Sequence, residues 1–76
     1  MPYSNDIIGE LNMLTLFNLD TDLEGIKVHS SADTEKIAAA QRLFDKGLTS
    51  QVDGGYLTSL GRTAAEHAQG LLLILK

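Results

Sequence analysis

The sequence contains no cysteine, which excludes disulfide bonds, thiolate chemistry and the usual ligands of a structural zinc ion. Its longest apolar run, residues 71–75, is far shorter than the roughly 20 residues that a membrane-spanning helix needs. The first five residues carry no basic group and no small-residue cleavage site, so we expect no signal peptide. These absences favour a cytoplasmic protein that needs no cofactor and does not associate with membranes.

Basic residues are missing from the first third of the chain. Residues 1–26 contain five acidic side chains and no lysine or arginine, whereas residues 27–62 contain five basic and four acidic ones. The net charge of −4 counts against a general polyanion-binding protein. Positive charge is concentrated in the middle of the chain, and we expect the first third to repel nucleic acid.

The remaining composition is that of one ordinary globular domain spanning residues 1–76. The fractions of apolar residues, 43%, and charged residues, 21%, give no indication of disorder. Chains of this size bury only about 60% of the surface that is exposed when they are unfolded. The core is therefore expected to be small and the stability marginal.

Helical spacing of apolar residues predicts a first helix near the start of the chain. Ser4 is a suitable N-cap, and Asp6 lies favourably in the first turn. The predicted buried stripe of this helix comprises Ile7, Ile8, Leu11, Leu14 and Thr15. Three further apolar residues lie off that stripe, namely Met13, Leu16 and Phe17.

The middle of the chain predicts a strand, a helix and a hairpin. Residues 26–29 alternate apolar with polar side chains, as in a short edge strand. A second helix is predicted at residues 34–46, with Asp33 or Ser31 as its cap and Gly47 just after its end. Two β-prone runs, residues 48–52 and 56–58, flank Asp53-Gly54-Gly55, which is a hairpin signal because glycine tolerates positive φ.

A last helix, capped by Thr58 or Ser59, completes the predicted order α-β-α-β-β-α. This order indicates an α+β fold with a small antiparallel sheet packed on helices. The predicted buried stripe of the last helix comprises Leu60, Ala64, Ala68, Leu71, Leu72 and Leu75.

Two short motifs bracket the predicted hairpin. Residues 46–48 read K-G-L and residues 57–61 read L-T-S-L-G, with Asp53-Gly54-Gly55 between them. In this arrangement residues 34–70 resemble winged-helix regulators of the MarR and PadR groups. In those groups a recognition helix ends in K-G-L, a wing carries Asp-Gly at its tip, and L-T-x-x-G opens the closing helix. The whole chain also resembles a small family of uncharacterised bacterial proteins catalogued as DNA-binding.

The resemblance implies a winged-helix-like, transcription-regulatory module that binds double-stranded DNA without catalysis or cofactor. The exposed face of the second helix would enter the major groove, and the wing would touch the backbone or the minor groove. The residues that this places nearest the bases are Thr34, Ala38, Ala39 and Arg42. Those placed near phosphates or at the wing are Lys36, Lys46, Gln51, Gly54, Gly55 and Arg62.

One departure from the winged-helix pattern opens an alternative function. A full winged helix has a positioning helix between its first strand and its recognition helix, but here only residues 30–32 separate the two elements. Together with the negative net charge, this favours the alternative of an adaptor or dimerisation module that retains the fold without binding nucleic acid.

The apolar excess of both terminal helices indicates a partner surface. Leu73 falls on the same helical face as Arg62, Glu66 and Gln69, where a polar residue is expected. We therefore expect a homodimer, as winged-helix regulators commonly form. The predicted dimer interface comprises Met13, Leu16, Phe17, Leu73 and Ile74.

No motif indicates catalysis, a metal site or a small-molecule substrate. Residues 20–25 match the opening of a calcium loop, but the twelfth position is Ser31 instead of a bidentate glutamate. His29 and His67 have no defined relation to each other or to a nucleophile. The sequence therefore predicts a protein that is not an enzyme.

Overall fold

The computed structural model describes residues 3–21 and 23–76, and within them it contains three helices and one three-stranded antiparallel sheet. The predicted α+β class and the order α-β-α-β-β-α are confirmed, in a winged-helix-like layout. The elements are α1 Asn5–Leu14, β1 Ile26–Lys27, α2 Thr34–Asp45, β2 Thr49–Gln51, β3 Gly54–Leu57 and α3 Ser59–Leu75. No helix in these two ranges is long and apolar enough to cross a bilayer.

Each helix begins at a side-chain cap, because the first backbone N–H groups of a helix have no partner within it. The Ser4 hydroxyl accepts from the Ile7 N–H at 3.2 Å, as predicted. Asp33 caps α2 by accepting from the Glu35 N–H at 3.1 Å. Thr58 caps α3, so the chain uses Asp33 and Thr58 instead of the alternatives Ser31 and Ser59.

The hairpin turns one residue earlier than predicted. Gln51 pairs with Gly54, so the tip is Val52-Asp53, and both glycines of the predicted tip lie within β3. Gly54 has a φ of 122° and is buried, and a Cβ built there would lie 2.7 Å from the Ile26 carbonyl oxygen. Glycine is therefore required because β1 packs directly against this position, and Gly54 is not available as a wing contact.

The positioning helix of a full winged helix is absent between β1 and α2. The described residues 28–33 connect the two elements through a turn in which the Ala32 N–H donates to the His29 carbonyl at 2.9 Å. The strand order is β1-β3-β2, with Ile26 opposite Gly55 in the pairing of β1 with β3. The departure from the full winged-helix pattern is confirmed.

The core lies between the three helices and the sheet and is rich in alanine. Leu43, at the centre of the core, is only 1% exposed. The buried apolar residues are Met13, Leu14, Phe17, Val28, Ala39, Ala40, Leu43, Ala65 and Ala68.

The buried side of α1 differs from the predicted stripe, of which only Leu14 is buried. Ile7, Ile8 and Leu11 are exposed, whereas Glu10 and Met13 face inward. Glu10 is charged, and its carboxylate is paired with Arg42 and Lys46 inside the fold. The helix is therefore rotated toward α2 relative to the predicted orientation.

Candidate interaction surfaces

The predicted recognition face of α2 is partly covered by α1. Ala39 is only 1% exposed and packs close to Gly9 of α1, so its predicted role as a base contact is wrong. Thr34 and Ala38, also predicted base contacts, remain exposed. An alanine-rich helix face allows close approach of another backbone, and in this protein α1 occupies that space.

The two cations at the end of α2 point toward α1. Arg42 Nε donates to Glu10 Oε2 at 2.9 Å, and Arg42 Nη2 donates to the backbone carbonyl of Asp6 at 3.2 Å. Lys46 Nζ donates to the second carboxylate oxygen of Glu10. Arg42 and Lys46 are thus brought together as predicted, but their charges are compensated within the chain.

Glu10 is the centre of this cluster, and its side chain is only 8% exposed. Burial by itself raises the pKa of this carboxyl. The hydrogen bonds from Lys46 and Arg42, together with their positive charges, outweigh that effect and hold the pKa below its ordinary value. The carboxylate is therefore ionised near neutral pH and neutralises charge that a nucleic acid would otherwise attract.

The outward face of α2 carries no basic residue. Thr34, Ala38, Gln41 and Asp45 follow one another at spacings of four, three and four residues, which places them on one side of the helix. All four are exposed, and Gln41 Nε2 donates to Asp45 Oδ1 at 3.0 Å. The face that remains free to approach a groove is therefore neutral to acidic.

The other predicted nucleic-acid contacts do not join a common surface. Lys36 is exposed in a groove between α1 and the start of α2, beside Leu16. Arg62 is half-buried and donates to the Leu19 carbonyl, so it is held by the segment after α1. Gln51 is exposed on β2, while Gly55 is half-buried within β3.

The predicted dimer residues also divide between different surroundings. Met13 and Phe17 are buried in the core of a single chain, so their assignment to a dimer interface is wrong. Leu16 is exposed but lies in the groove beside Lys36. Only Leu73 and Ile74, which are 78% and 81% exposed at the end of α3, fit the prediction of a free apolar surface.

Exposed apolar side chains are concentrated on the outer side of α1 and around the end of α3. The eight large side chains are between 37% and 81% exposed. Thr15, which directly follows α1, lines a shallow depression together with Leu72 and Leu73. We call these eight side chains the exposed apolar set; it comprises Ile7, Ile8, Leu11, Leu71, Leu72, Leu73, Ile74 and Leu75.

Comparison with known proteins decides the family of the chain. The family described as Family of unknown function (DUF5669) matches residues 1–76. The chain belongs to this family. No curated protein and no solved structure matches it.

Sequence reasoning missed the α1 part of the exposed apolar set in this DUF5669 chain. Ile7, Ile8 and Leu11 have regular helical spacing, which is the usual signal of a core stripe. The signal that could have found them is the pair Met13 and Phe17, which lies off that stripe and is buried. A small domain cannot bury every side of its first segment. Elsewhere in residues 3–21 and 23–76, no group of three or more His, Asp or Glu side chains is placed to hold a metal ion.

Proposed function

We propose that this DUF5669 chain is a cytoplasmic protein-interaction module that keeps a winged-helix-like layout without reading nucleic acid. It acts by binding a protein partner and performs no catalysis. The observation that carries the proposal is the pairing of Arg42 and Lys46 with Glu10, which leaves α2 without a free cationic face.

Electrostatics supports this choice over nucleic-acid binding. Affinity for DNA comes largely from neutralising phosphates with lysine and arginine. A groove-bound α2 would instead present Asp45 and Gln41 to the phosphates. Recruiting Arg42 or Lys46 would remove one of the two partners of the nearly buried Glu10 carboxylate, at a cost of about 1–3 kcal/mol.

The exposed apolar set supports a protein partner. Its eight side chains are each at least 37% exposed. Burying one fully exposed side chain of this size stabilises by about 1.5–3 kcal/mol, so a partner that covers several of them gains hydrophobic free energy. Exposed apolar surface of this extent is typical of interaction sites.

The decisive experiment measures binding of fluorescent duplex DNA of random sequence at low salt, by anisotropy, with retention on heparin as a second readout. We expect no saturable binding by the wild-type chain and none by Arg42→Ala. As a matched comparison, Glu10→Gln releases the two cations and should show weak, salt-sensitive retention on heparin. Wild-type binding that Arg42→Ala or Lys46→Ala weakens would overturn the proposal.

The second candidate function is the DNA-binding transcription regulator that the winged-helix resemblance implies. The confirmed order of elements and the β2–β3 hairpin favour it. The same binding experiment separates the two candidates, because only the regulator requires Arg42 and Lys46 to contact phosphate.

A further inference from the structure

We infer that the start of α1 is a lid over α2, which opens while the rest of the domain stays folded. The juxtaposition that carries it is a glycine in the middle of a short helix, Gly9, beside the buried pairing of Glu10 with Arg42 and Lys46. We call residues 5–10 the α1 lid. The inference goes beyond the proposed function, because it concerns the access of other groups to α2 and does not depend on the partner that the chain binds.

The end of α1 that follows the lid is anchored by apolar packing. Met13 and Leu14 are buried, as is Phe17 just beyond the helix. Gln69 of α3 donates from its Nε2 to the carbonyls of Leu14 and Phe17, at 3.1 and 2.8 Å. This end is therefore fixed by the core and by α3, and it can stay in place when the lid opens.

The lid itself has little apolar burial. Glu10 is the one buried residue among residues 5–10, all of which the structure describes. The two large apolar side chains of the lid, Ile7 and Ile8, are 41% and 43% exposed. Segments with few buried apolar contacts open at a lower free energy than the core does, so the lid is the part of α1 that we expect to open first.

Ionic contacts with α2 hold the lid closed. Arg42 and Lys46 both donate to the Glu10 carboxylate, and Arg42 also donates to the backbone carbonyl of Asp6. Hydrogen bonds between charged groups are stronger than neutral ones, which keeps the closed form dominant. Because these contacts all come from two side chains of α2, a group that pairs with Arg42 and Lys46 in place of Glu10 releases the lid.

Gly9 weakens the helix within the lid, and packing does not require it. A Cβ built on Gly9 would lie 3.6 Å from Arg42 Nη2 and 3.7 Å from the Ala39 Cβ, which are ordinary van der Waals distances. The position would therefore accept alanine, which stabilises a helix interior relative to glycine. A glycine here lowers the stability of the closed lid without any gain in packing.

Opening of the lid changes what α2 presents. In the closed form Gly9 packs close to Ala39, and Glu10 neutralises Arg42 and Lys46. In the open form the two cations lose their common carboxylate, and the side of α2 around Ala39 becomes accessible. The lid is thus an autoinhibitory contact that covers a cationic surface within the same chain.

The test is hydrogen exchange of the full chain at neutral pH, measured for individual amides by NMR. The amides of residues 9–12 donate to the carbonyls of residues 5–8 within the helix, so they report opening of the lid. The amides of residues 65–68, in the buried part of α3, report global unfolding. We expect the protection factors of residues 9–12 to be at least about ten-fold lower than those of residues 65–68.

Gly70→Ala separates local opening from global unfolding. Nothing lies within 4 Å of a Cβ built on Gly70 in α3, so the change should stabilise this helix in both the closed and the open form. It should raise the protection of residues 65–68 about two- to five-fold and leave that of residues 9–12 unchanged.

Two variants within the lid should shift its opening in opposite directions. Gly9→Ala should raise the protection of residues 9–12 about two- to five-fold, because alanine favours the helix. Glu10→Gln should lower it about five-fold or more, because Arg42 and Lys46 lose the negative charge between them. The matched control is Asp6→Asn, whose carboxylate side chain is 74% exposed at 3.8 Å from Arg42 and which should have a smaller effect than Glu10→Gln.

Three outcomes would overturn the lid. These are equal protection of residues 9–12 and 65–68 in the wild type, a gain at residues 9–12 in Gly70→Ala as large as that at residues 65–68, or unchanged protection of residues 9–12 in Gly9→Ala. The glycine variants keep the test decisive if Glu10→Gln does not fold. DNA binding by the wild type that depends on Arg42 would overturn the proposed function and leave the lid in place.

Discussion

The two sides of α1 differ in a way that reverses the usual distribution of polar and apolar residues. On the side toward α2, Glu10 is nearly buried and paired with Arg42 and Lys46. On the opposite side, Ile8 and Leu11 are exposed. A small chain can pair a buried carboxylate with one or two cationic side chains. Burying apolar side chains requires a large interior surface, which a domain of this size does not provide for both sides of α1.

The largest expected effect is the difference between the two sides of α1 in how much they contribute to the free energy of unfolding. Met13→Ala in the core should lower the free energy of unfolding by about 2–5 kcal/mol. Ile8→Ala on the exposed side should cost less than about 1 kcal/mol. Urea denaturation measures both. Equal losses would show that the two sides of α1 contribute alike to the fold.

The next effect concerns the paired side alone. Glu10→Ala should lower the free energy of unfolding by about 1–3 kcal/mol, because Arg42 and Lys46 lose their common acceptor. Asp6→Ala is the matched control, since this exposed carboxylate is 3.8 Å from Arg42 and should cost less than about 1 kcal/mol. A loss at Asp6 as large as that at Glu10 would contradict the central role of Glu10.

The pH dependence of stability should identify the same carboxylate. The folded-state pKa of Glu10 lies below its ordinary value of 4.5, so the unfolded chain binds this proton more readily. Its stabilisation is therefore fully present above that value and is lost as the pH falls through the folded-state pKa. The difference in unfolding free energy between wild type and Glu10→Gln should shrink between about pH 7 and about pH 3. A difference independent of pH would exclude this ionisation as its source.

The smallest expected effect concerns the exposed end of α3. Gly70→Ala should raise the free energy of unfolding by about 0.5–1 kcal/mol through helix propensity, because nothing lies within 4 Å of a Cβ built there. Thermal denaturation measures the change. A loss of stability in Gly70→Ala would show that packing within the chain requires glycine at this position.

Local signals in the sequence were sufficient for most of the fold. Ser4 predicted the start of α1 because a hydroxyl at that position satisfies a free backbone N–H. The Asp53-Gly54-Gly55 run predicted a hairpin, although β1 packs so closely on Gly54 that the tip shifted to Val52-Asp53. That shift depends on a neighbouring strand distant in sequence, so no local pattern contained it.

The candidate sites were predicted less well because each depends on which helix face meets which. Ala39 and Arg42 have the spacing of an exposed recognition face, but α1 packs on that face. Met13 and Phe17 lie off the predicted α1 stripe, but the structure places both of them in the core. Both errors share one cause, namely the rotation of α1 that brings Glu10 inward.

The sequence by itself determined the number and order of the elements and the starts of the helices, because caps and spacing act between neighbours in the chain. Only the tertiary structure decided the direction in which α1 faces, since that choice balances Glu10 pairing with Arg42 and Lys46 against burial of Ile8 and Leu11. The partners of Glu10 are more than 30 residues away in the chain, at α2. Pairing at such a separation leaves no periodic trace in the sequence.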